Sequence, residues 1–452
     1  MRIFLLVCVL ASTLQAQGPK NVVFLVADDL GLEVGCYGDI AAKTPNIDAL
    51  AKAGTRFTHG FASVSSCSPS RSTMLTGQPT HQNGMYGLAH GTHHFQSFAK
   101  TKSLVGILNT AGYQTGVLAK LHVAPKEVYP FQHELPAGGG RNGEAIAQAA
   151  RKFINDCQGQ PFFLHVGFTD PHRAAKGFGN DGKLPASIPK AKFDPKSLPL
   201  PYHLPNLPEV RQDLAEYYES VARLDHNIGL LRKVLDDTKS ADKTLIVFLS
   251  DNGIPFPGAK TNLYDAGVRL PLIVVKPGQK AGVVNDMLVS WTDLAPTVLD
   301  WCGLSKPDAM PGRSFLAHIE APARNGWDEV YGSHQFHEVT MYYPMRMVRT
   351  AKHKLIVNLA AGLEYPHAGD LWGSPSWQSV LSRQEKMMGR RSVDAYLHRP
   401  REELYDLKLD ANELINRIGD SEYASVRDEL RLKLAAWRKA TNDPWDIKDK
   451  HE

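Results

Sequence analysis

Four places in the chain hold side chains whose types and spacing suit chemistry on an anion. Asp28-Asp29, Lys120-Leu121-His122, Asp170-Pro171-His172 and Asp251-Asn252 each stand at or just after the end of a short apolar run. Together they supply carboxylate and amide oxygens for a hard cation, an ammonium for negative charge, and imidazoles whose ordinary pKa of roughly 6.5 suits proton transfer near neutrality. Lys120 and His122 are two apart, so on an extended backbone they point the same way. Any one such cluster is compatible with a solvated loop, and Asp28-Asp29 alone reads as a helix N-cap pair. Four of one design point to a shared rim. A fifth segment, Ser65–Gly77, reads as a complete short helix: serines to cap it, Pro69 in the first turn, Gly77 to end it. Cys67 and Arg71 are four apart and share a face, and the helix N-terminus favours an anion. A buried small Cys at a helix start is the plain alternative.

The elements that must position these groups are legible in outline. Asn21–Ala27, Thr115–Ala119, Pro161–Phe168 and Thr244–Leu249 are nearly continuous in apolar residues, as strands covered on both faces require. Helix-like stretches, Ile47–Ala53, Ser103–Ala111, Gly143–Cys157 and Asp213–Asp236, alternate with them. The alternation predicts an α/β fold with a doubly wound, mostly parallel sheet, in which ligands bind beyond the carboxyl ends of the strands. From about Ser333 the pattern changes. MRMVRT and KHKLIVNL read as an antiparallel hairpin with His353 at its turn, and a helix is expected from about Ser425 to Lys439. We expect a catalytic domain over residues 18–335 and a smaller C-terminal α+β domain with an antiparallel sheet over 336–452.

Of the 452 residues, 43% are hydrophobic and 22% charged, which excludes a disordered or fibrous chain. Lys+Arg 51 against Asp+Glu 47 leaves a net charge of +4, too small to suggest nucleic acid as partner. The five cysteines, Cys8, Cys36, Cys67, Cys157 and Cys302, form no CxxC and are too sparse for a disulfide scaffold or a thiolate zinc site. Residues 1–17 carry one arginine and an apolar run too short to span a bilayer, ending in small and polar residues, and read as a signal peptide. The mature protein is expected to be exported, periplasmic or secreted if bacterial and lysosomal if eukaryotic, with no membrane span.

Cys67-Ser68-Pro69-Ser70-Arg71, followed by Leu75-Thr76-Gly77, matches the pattern C-x-P-x-R-x4-T-G. On these residues the chain resembles the type I, formylglycine-dependent sulfatases, which have an alkaline-phosphatase-like fold. The resemblance runs from Asn21 to the C-terminus and includes Asp28-Asp29, Thr44-Pro45-Asn46-Ile47-Asp48 and Ser250-Asp251-Asn252-Gly253. It implies that Cys67 is converted to formylglycine, whose hydrate attacks sulfur. It also implies that Asp28, Asp29, residue 67, Asp251 and Asn252 hold Ca²⁺. Arg71, Lys120, His122, His172 and Lys260 would be the catalytic and sulfate-binding side chains, with His172 as general acid.

A narrower resemblance, to the N-sulfoglucosamine sulfohydrolase branch (the heparan N-sulfatases), rests on Ser63–Leu88, Asp170–Arg173, Ser250–Tyr264 and His337–Arg346. Two departures stand out. Lys260 replaces an expected arginine, a point charge in place of a bidentate fork, and the segment after Arg173 is shorter. The branch implies hydrolysis of the N-sulfate of non-reducing-end N-sulfoglucosamine in heparan sulfate or heparin-type saccharides. Its weaker substrate-pocket candidates are Asp170, His81, His337, Glu338 and Arg346, then His93, His94 and His334. The implied partners are the sulfated saccharide and a formylglycine-generating or equivalent maturation enzyme, with a homodimer left open. The competing readings are an O-sulfatase on sulfated sugars or aryl sulfates, a phosphatase or phosphodiesterase of the wider superfamily, and a saccharide-binding protein with unmodified Cys67.

Overall fold

The computed structural model describes residues 20–182, 185–323 and 325–446; the expected signal peptide, residues 1–17, lies outside them. Eight strands form the main sheet: β1 (Asn21–Ala27), β2 (Thr55–Phe61), β3 (Gln114–Ala119), β4 (His133–Leu135), β5 (Phe162–Gly167), β6 (Thr244–Ser250), β7 (Arg269–Val275) and β8 (Val283–Ser290). Their order is β4-β3-β5-β1-β6-β7-β2-β8. Every pairing is parallel except those of β7, which runs antiparallel to β6 and β2.

The central strand shows why an unbroken apolar run suits this place. Val23, Leu25 and Ala27 enter a core shared with helices Pro45–Ala53, Gly143–Asp156 and Pro208–Asp237. Val22, Phe24 and Val26 enter the opposite core, with helices Cys67–Thr76, Leu104–Thr110 and Leu294–Trp301. Period-two alternation thus feeds two apolar layers. The four strands read from sequence match to within a residue at each end. β2, β7 and β8 escape that reading because they are not uniform apolar runs: β2 (TRFTHGF) breaks register between Phe57 and Gly60, and β7 (RLPLIVV) contains a proline.

A second sheet is wholly antiparallel and joins strands Glu402–Asp406, His353–Asn358, Tyr342–Thr350 and Glu329–Phe336 in that order. The expected hairpin is present, but His353 opens its second strand instead of sitting in the turn. The sheet begins at Glu329, ahead of the expected boundary at residue 336, because Glu329–Phe336 pairs with Tyr342–Thr350. Helix Ala424–Ala440 covers this sheet, packing Leu430 and Leu434 on Val348, Leu355 and Leu404. Among the described residues no helix is long and apolar enough to cross a membrane. Cys36, Cys67, Cys157 and Cys302 are all unpaired thiols.

Candidate active site

Helix Cys67–Thr76 is buried along its whole length, and Gly77 ends it in the left-handed region at φ 63°. Its start differs from the expectation of a serine cap. Ser66 occupies the N-cap position with extended backbone, yet its hydroxyl makes no capping bond and pairs instead with His337 Nδ1 at 2.8 Å. The first turn, where Cys67 enters the site, therefore has no capping bond from the Ser66 side chain. One turn on, Arg71 is fully buried. Its Nε donates to Asp251 Oδ2 at 2.8 Å and its Nη1 to the Lys120 carbonyl at 2.9 Å, while Nη2 lies 3.8 Å from Asp28 Oδ1. That carbonyl reaches Arg71 across Gly167, where any Cβ would stand 1.9 Å from Lys120 O and 2.8 Å from Arg71 Nη1.

Parallel pairing of β1 with β6, Ala27 beside Ser250, sets Asp28-Asp29 next to Asp251-Asn252. Asp29 adopts φ 67°, uncommon for a residue with a side chain, and its N–H donates to Asp251 Oδ1 at 3.0 Å. Asn252 Nδ2 donates to Asp29 Oδ1 at 2.7 Å, and Lys120 Nζ to Asp28 Oδ2 at 2.5 Å. Burial raises Asp29 to about 6 against the pull of Lys260, and raises Asp251 to about 7 with Asp28 adding to the push. Asp28 goes the other way: burial opposes its charge, but Lys120, His172 and Arg71 hold it well below the usual carboxylate range. Atoms of Asp28, Asp29, Cys67 and His172 lie within 4.8 Å of one another. Among the described residues Asp28 Oδ1 and Asn252 Oδ1 are buried without a hydrogen-bond partner, an arrangement that is costly unless something else meets them. Three crowded carboxylates and an amide oxygen form the donor set of a hard divalent cation, so the residues fit the expected Ca²⁺.

The cations and imidazoles converge from other elements. Lys260, fully buried, donates to Asp29 Oδ2 at 2.9 Å and Asp370 Oδ2 at 2.7 Å and lies 3.3 Å from His172 Nε2. Burial works against its charge, but Asp29 and Asp370 raise its pKa well above the ordinary lysine value. His172 Nδ1 donates to the Arg173 carbonyl at 2.5 Å, which leaves Nε2 facing Lys260; burial and Lys260 lower its pKa to about 4. His122, at φ 63°, has its pKa pushed well down by burial and then by Lys120. Cys67, Lys120, His122, His172, Glu338 and Asp370 line one pocket of about 480 Å³, together with His90.

Not every candidate arrives there. His81 is buried between Ser333 Oγ (3.1 Å) and Thr441 Oγ1 (2.8 Å), and Arg346 is locked in a two-pronged pair with Asp443 at 2.6 and 2.8 Å. Neither lines the pocket: both fasten the second sheet to the segment after its covering helix, which corrects their assignment to the substrate. His334 is a buried histidine with neither nitrogen partnered among the described residues. Asp170 is fully buried and accepts from Arg141 at 3.0 Å and from Arg223 at 2.8 and 2.6 Å, so it anchors the loop that carries His172. His337 and Glu338 do line the pocket, and Glu338 Oε1 accepts the Gly369 N–H at 2.8 Å. His93 stands one layer out, its Nδ1 accepting the Val339 N–H at 3.2 Å. Sequence reasoning missed Asp370, in a stretch (HAGDLW) without a motif, and His90, one of three histidines in AHGTHH.

The Sulfatase family profile matches residues 20–304, and the profile of the N-sulphoglucosamine sulphohydrolase C-terminal region matches residues 259–373. The chain is 41% identical to the human N-sulphoglucosamine sulphohydrolase over 94% of its own length and 91% of that protein. Among solved structures, a sulfatase-type protein of Bacteroides fragilis superposes with TM-score 0.75 at 20% identity, covering 98% of this chain and 100% of that one. The phosphonate monoester hydrolase of Agrobacterium radiobacter superposes with TM-score 0.68 at 20% identity, covering 93% and 96%. These two likenesses establish the fold.

Proposed function

Because the chain belongs to the sulfatase family, we propose that it hydrolyses the N-sulfate of non-reducing-end N-sulfoglucosamine in heparan-type saccharides. Cys67 carries the reading: it stands at the head of a buried helix, with Lys120, Lys260 and His172 around it and four oxygen-bearing side chains beneath. The 41% identity to a named N-sulphoglucosamine sulphohydrolase supports the sulfamate as substrate.

Conversion of Cys67 to formylglycine would supply a hydrated aldehyde oxygen as the nucleophile at sulfur. Ca²⁺ held by Asp28, Asp29, Asp251 and Asn252 would supply positive charge against the sulfonate oxygens. The remaining roles fall to the chain itself. Lys120 and Lys260 present ammonium groups to the sulfate. Arg71 holds Asp251 and the Lys120 carbonyl and so sets both the cation cradle and the lysine's backbone. His172 presents Nε2 to the leaving nitrogen. An anion bound beside Lys260 offsets the positive charge that keeps this imidazole neutral, raising its proton affinity when a proton is needed. The buried Cys67 thiol, raised well above its ordinary pKa by burial, is a poor nucleophile unmodified. We place the mature enzyme outside the cytoplasm, on the strength of residues 1–17.

Two measurements test this. Mass spectrometry of the tryptic peptide spanning Cys67, from protein produced beside a maturation enzyme, should show an aldehyde in place of the thiol; unmodified thiol alone would contradict the proposal. Turnover of N-sulfoglucosamine should then exceed that of 6-O-sulfated glucosamine, and the opposite order would move the enzyme to the O-sulfatases.

A further inference from the structure

His90 stands beside His122 in the pocket, its Nδ1 within hydrogen-bond reach of His122 Nε2 and the ring centroids 4.6 Å apart. His93 packs edge-on against the outer side of His90 at 5.7 Å, bracing a ring that is otherwise exposed. The other nitrogen of His122, Nδ1, is buried and has no partner among the described residues. Two facing imidazoles share one hydrogen, so whichever ring donates decides what His122 offers at its buried nitrogen. Lys120 and Arg71 bear on His122 as positive charges. A positive field favours a lone pair over an N–H at the nitrogen left without a partner, and Arg71, Lys120 and Lys260 already crowd the site with donors.

From this pairing we infer that His90 is a positioning residue: it accepts the Nε2–H of His122 and thereby holds the Nδ1 lone pair of His122 as a hydrogen acceptor in the pocket that it shares with Cys67. The inference rests on the sulfatase reading, in which residue 67 carries a hydrated aldehyde. The neutral His90 carries its own hydrogen on Nε2.

The first test needs no activity. In protein with Cys67 unmodified and ¹⁵N-labelled histidine, the His122 nitrogen shifts should report a protonated Nε2 and a bare Nδ1, and His90→Leu should mix or invert that tautomer. A protonated Nδ1 in the parent protein, or an unchanged tautomer in the leucine variant, overturns the inference. The second test is kinetic. In matured enzyme His90→Leu should lower kcat by about 10- to 100-fold with little change in KM, the range for losing a partner that orients a working group. His90→Gln, whose amide oxygen accepts in the same place, should recover most of that loss. A leucine variant with parental kcat, or a glutamine variant no better than leucine, overturns the role of His90 alone. A matured parent enzyme that turns over no sulfate ester or sulfamate overturns the sulfatase reading and this inference with it.

Discussion

Lys260 Nζ lies 2.7 Å from Asp370 Oδ2, and through that contact the segment between the antiparallel strands of the second sheet reaches into the rim of the candidate site. The same ammonium holds Asp29 at 2.9 Å and faces His172 at 3.3 Å, so Asp370 shapes the charge felt by both.

Asp370→Asn keeps an oxygen near Lys260 and removes the negative charge. Burial and Lys260 lower the pKa of His172, while Asp370 raises it, so the substitution should lower it further. As a general acid His172 would then lose its proton at lower pH. The alkaline limb of the kcat profile should move to more acidic pH, and kcat at neutral pH should fall about tenfold for each pH unit moved. A pH–rate series on parent and variant checks this; an unmoved limb would detach Asp370 from the acid.

Arg71→Met should destabilise the fold as well as abolish turnover. The guanidinium and its carboxylate partner Asp251 are fully buried, so removing it leaves Asp251 with no ion-pair partner among the described residues, while Asp28 keeps Lys120. Breaking such a pair costs about 3–5 kcal/mol. Urea denaturation should show that loss, and added Ca²⁺ should recover part of it if the carboxylates are the cause.

Gly167→Ala places a methyl against Lys120 O, a backbone atom with no side-chain freedom to yield. Overpacking of this kind costs about 1–3 kcal/mol. The strand ends must separate, which shifts Lys120 and breaks the Arg71 bond to its carbonyl. The expected result is a lower melting temperature together with a larger fall in kcat than in substrate affinity. Parental kcat at reduced stability would refute the coupling.

His165→Phe should make the protein less sensitive to acid. His165 is fully buried, neither ring nitrogen has a partner among the described residues, and burial followed by Arg71 lowers its pKa to about 3. Because the folded-state pKa lies below the unfolded value near 6.5, the unfolded chain binds more protons between those limits. The stability His165 permits is therefore present above about pH 6.5 and is lost as pH falls toward 3. A phenylalanine, set among the nearby rings of Phe24 and Phe131, removes that slope. Melting temperatures at pH 7 and pH 5 should differ less in the variant than in the parent.

Part of the rim was legible in the sequence, because several of its polar groups follow uninterrupted apolar strands and strand ends in a parallel sheet meet at one edge. Asp28, Lys120, His172 and Asp251 follow that rule; Cys67 and Arg71 needed helical spacing together with the sulfatase signature, and Lys260 came from the resemblance alone. Asp370 and His90 obeyed no such rule. Each sits in an irregular stretch whose direction depends on what it packs against, and no local period encodes that.

The sequence by itself determined the chemistry on offer: a cysteine at a helix start, an arginine one turn on, oxygens and cations at four strand ends. Tertiary structure alone decided which of the remaining polar residues line the pocket. His81, Arg346 and Asp170 have the same side chains as pocket residues elsewhere in this chain, but their buried partners Thr441, Asp443 and Arg223 take up their hydrogen bonds and charge. Those partners lie tens to hundreds of residues away. A charged or polar side chain is used where its nearest complementary group is, and only the folded chain brings distant groups to hydrogen-bond distance.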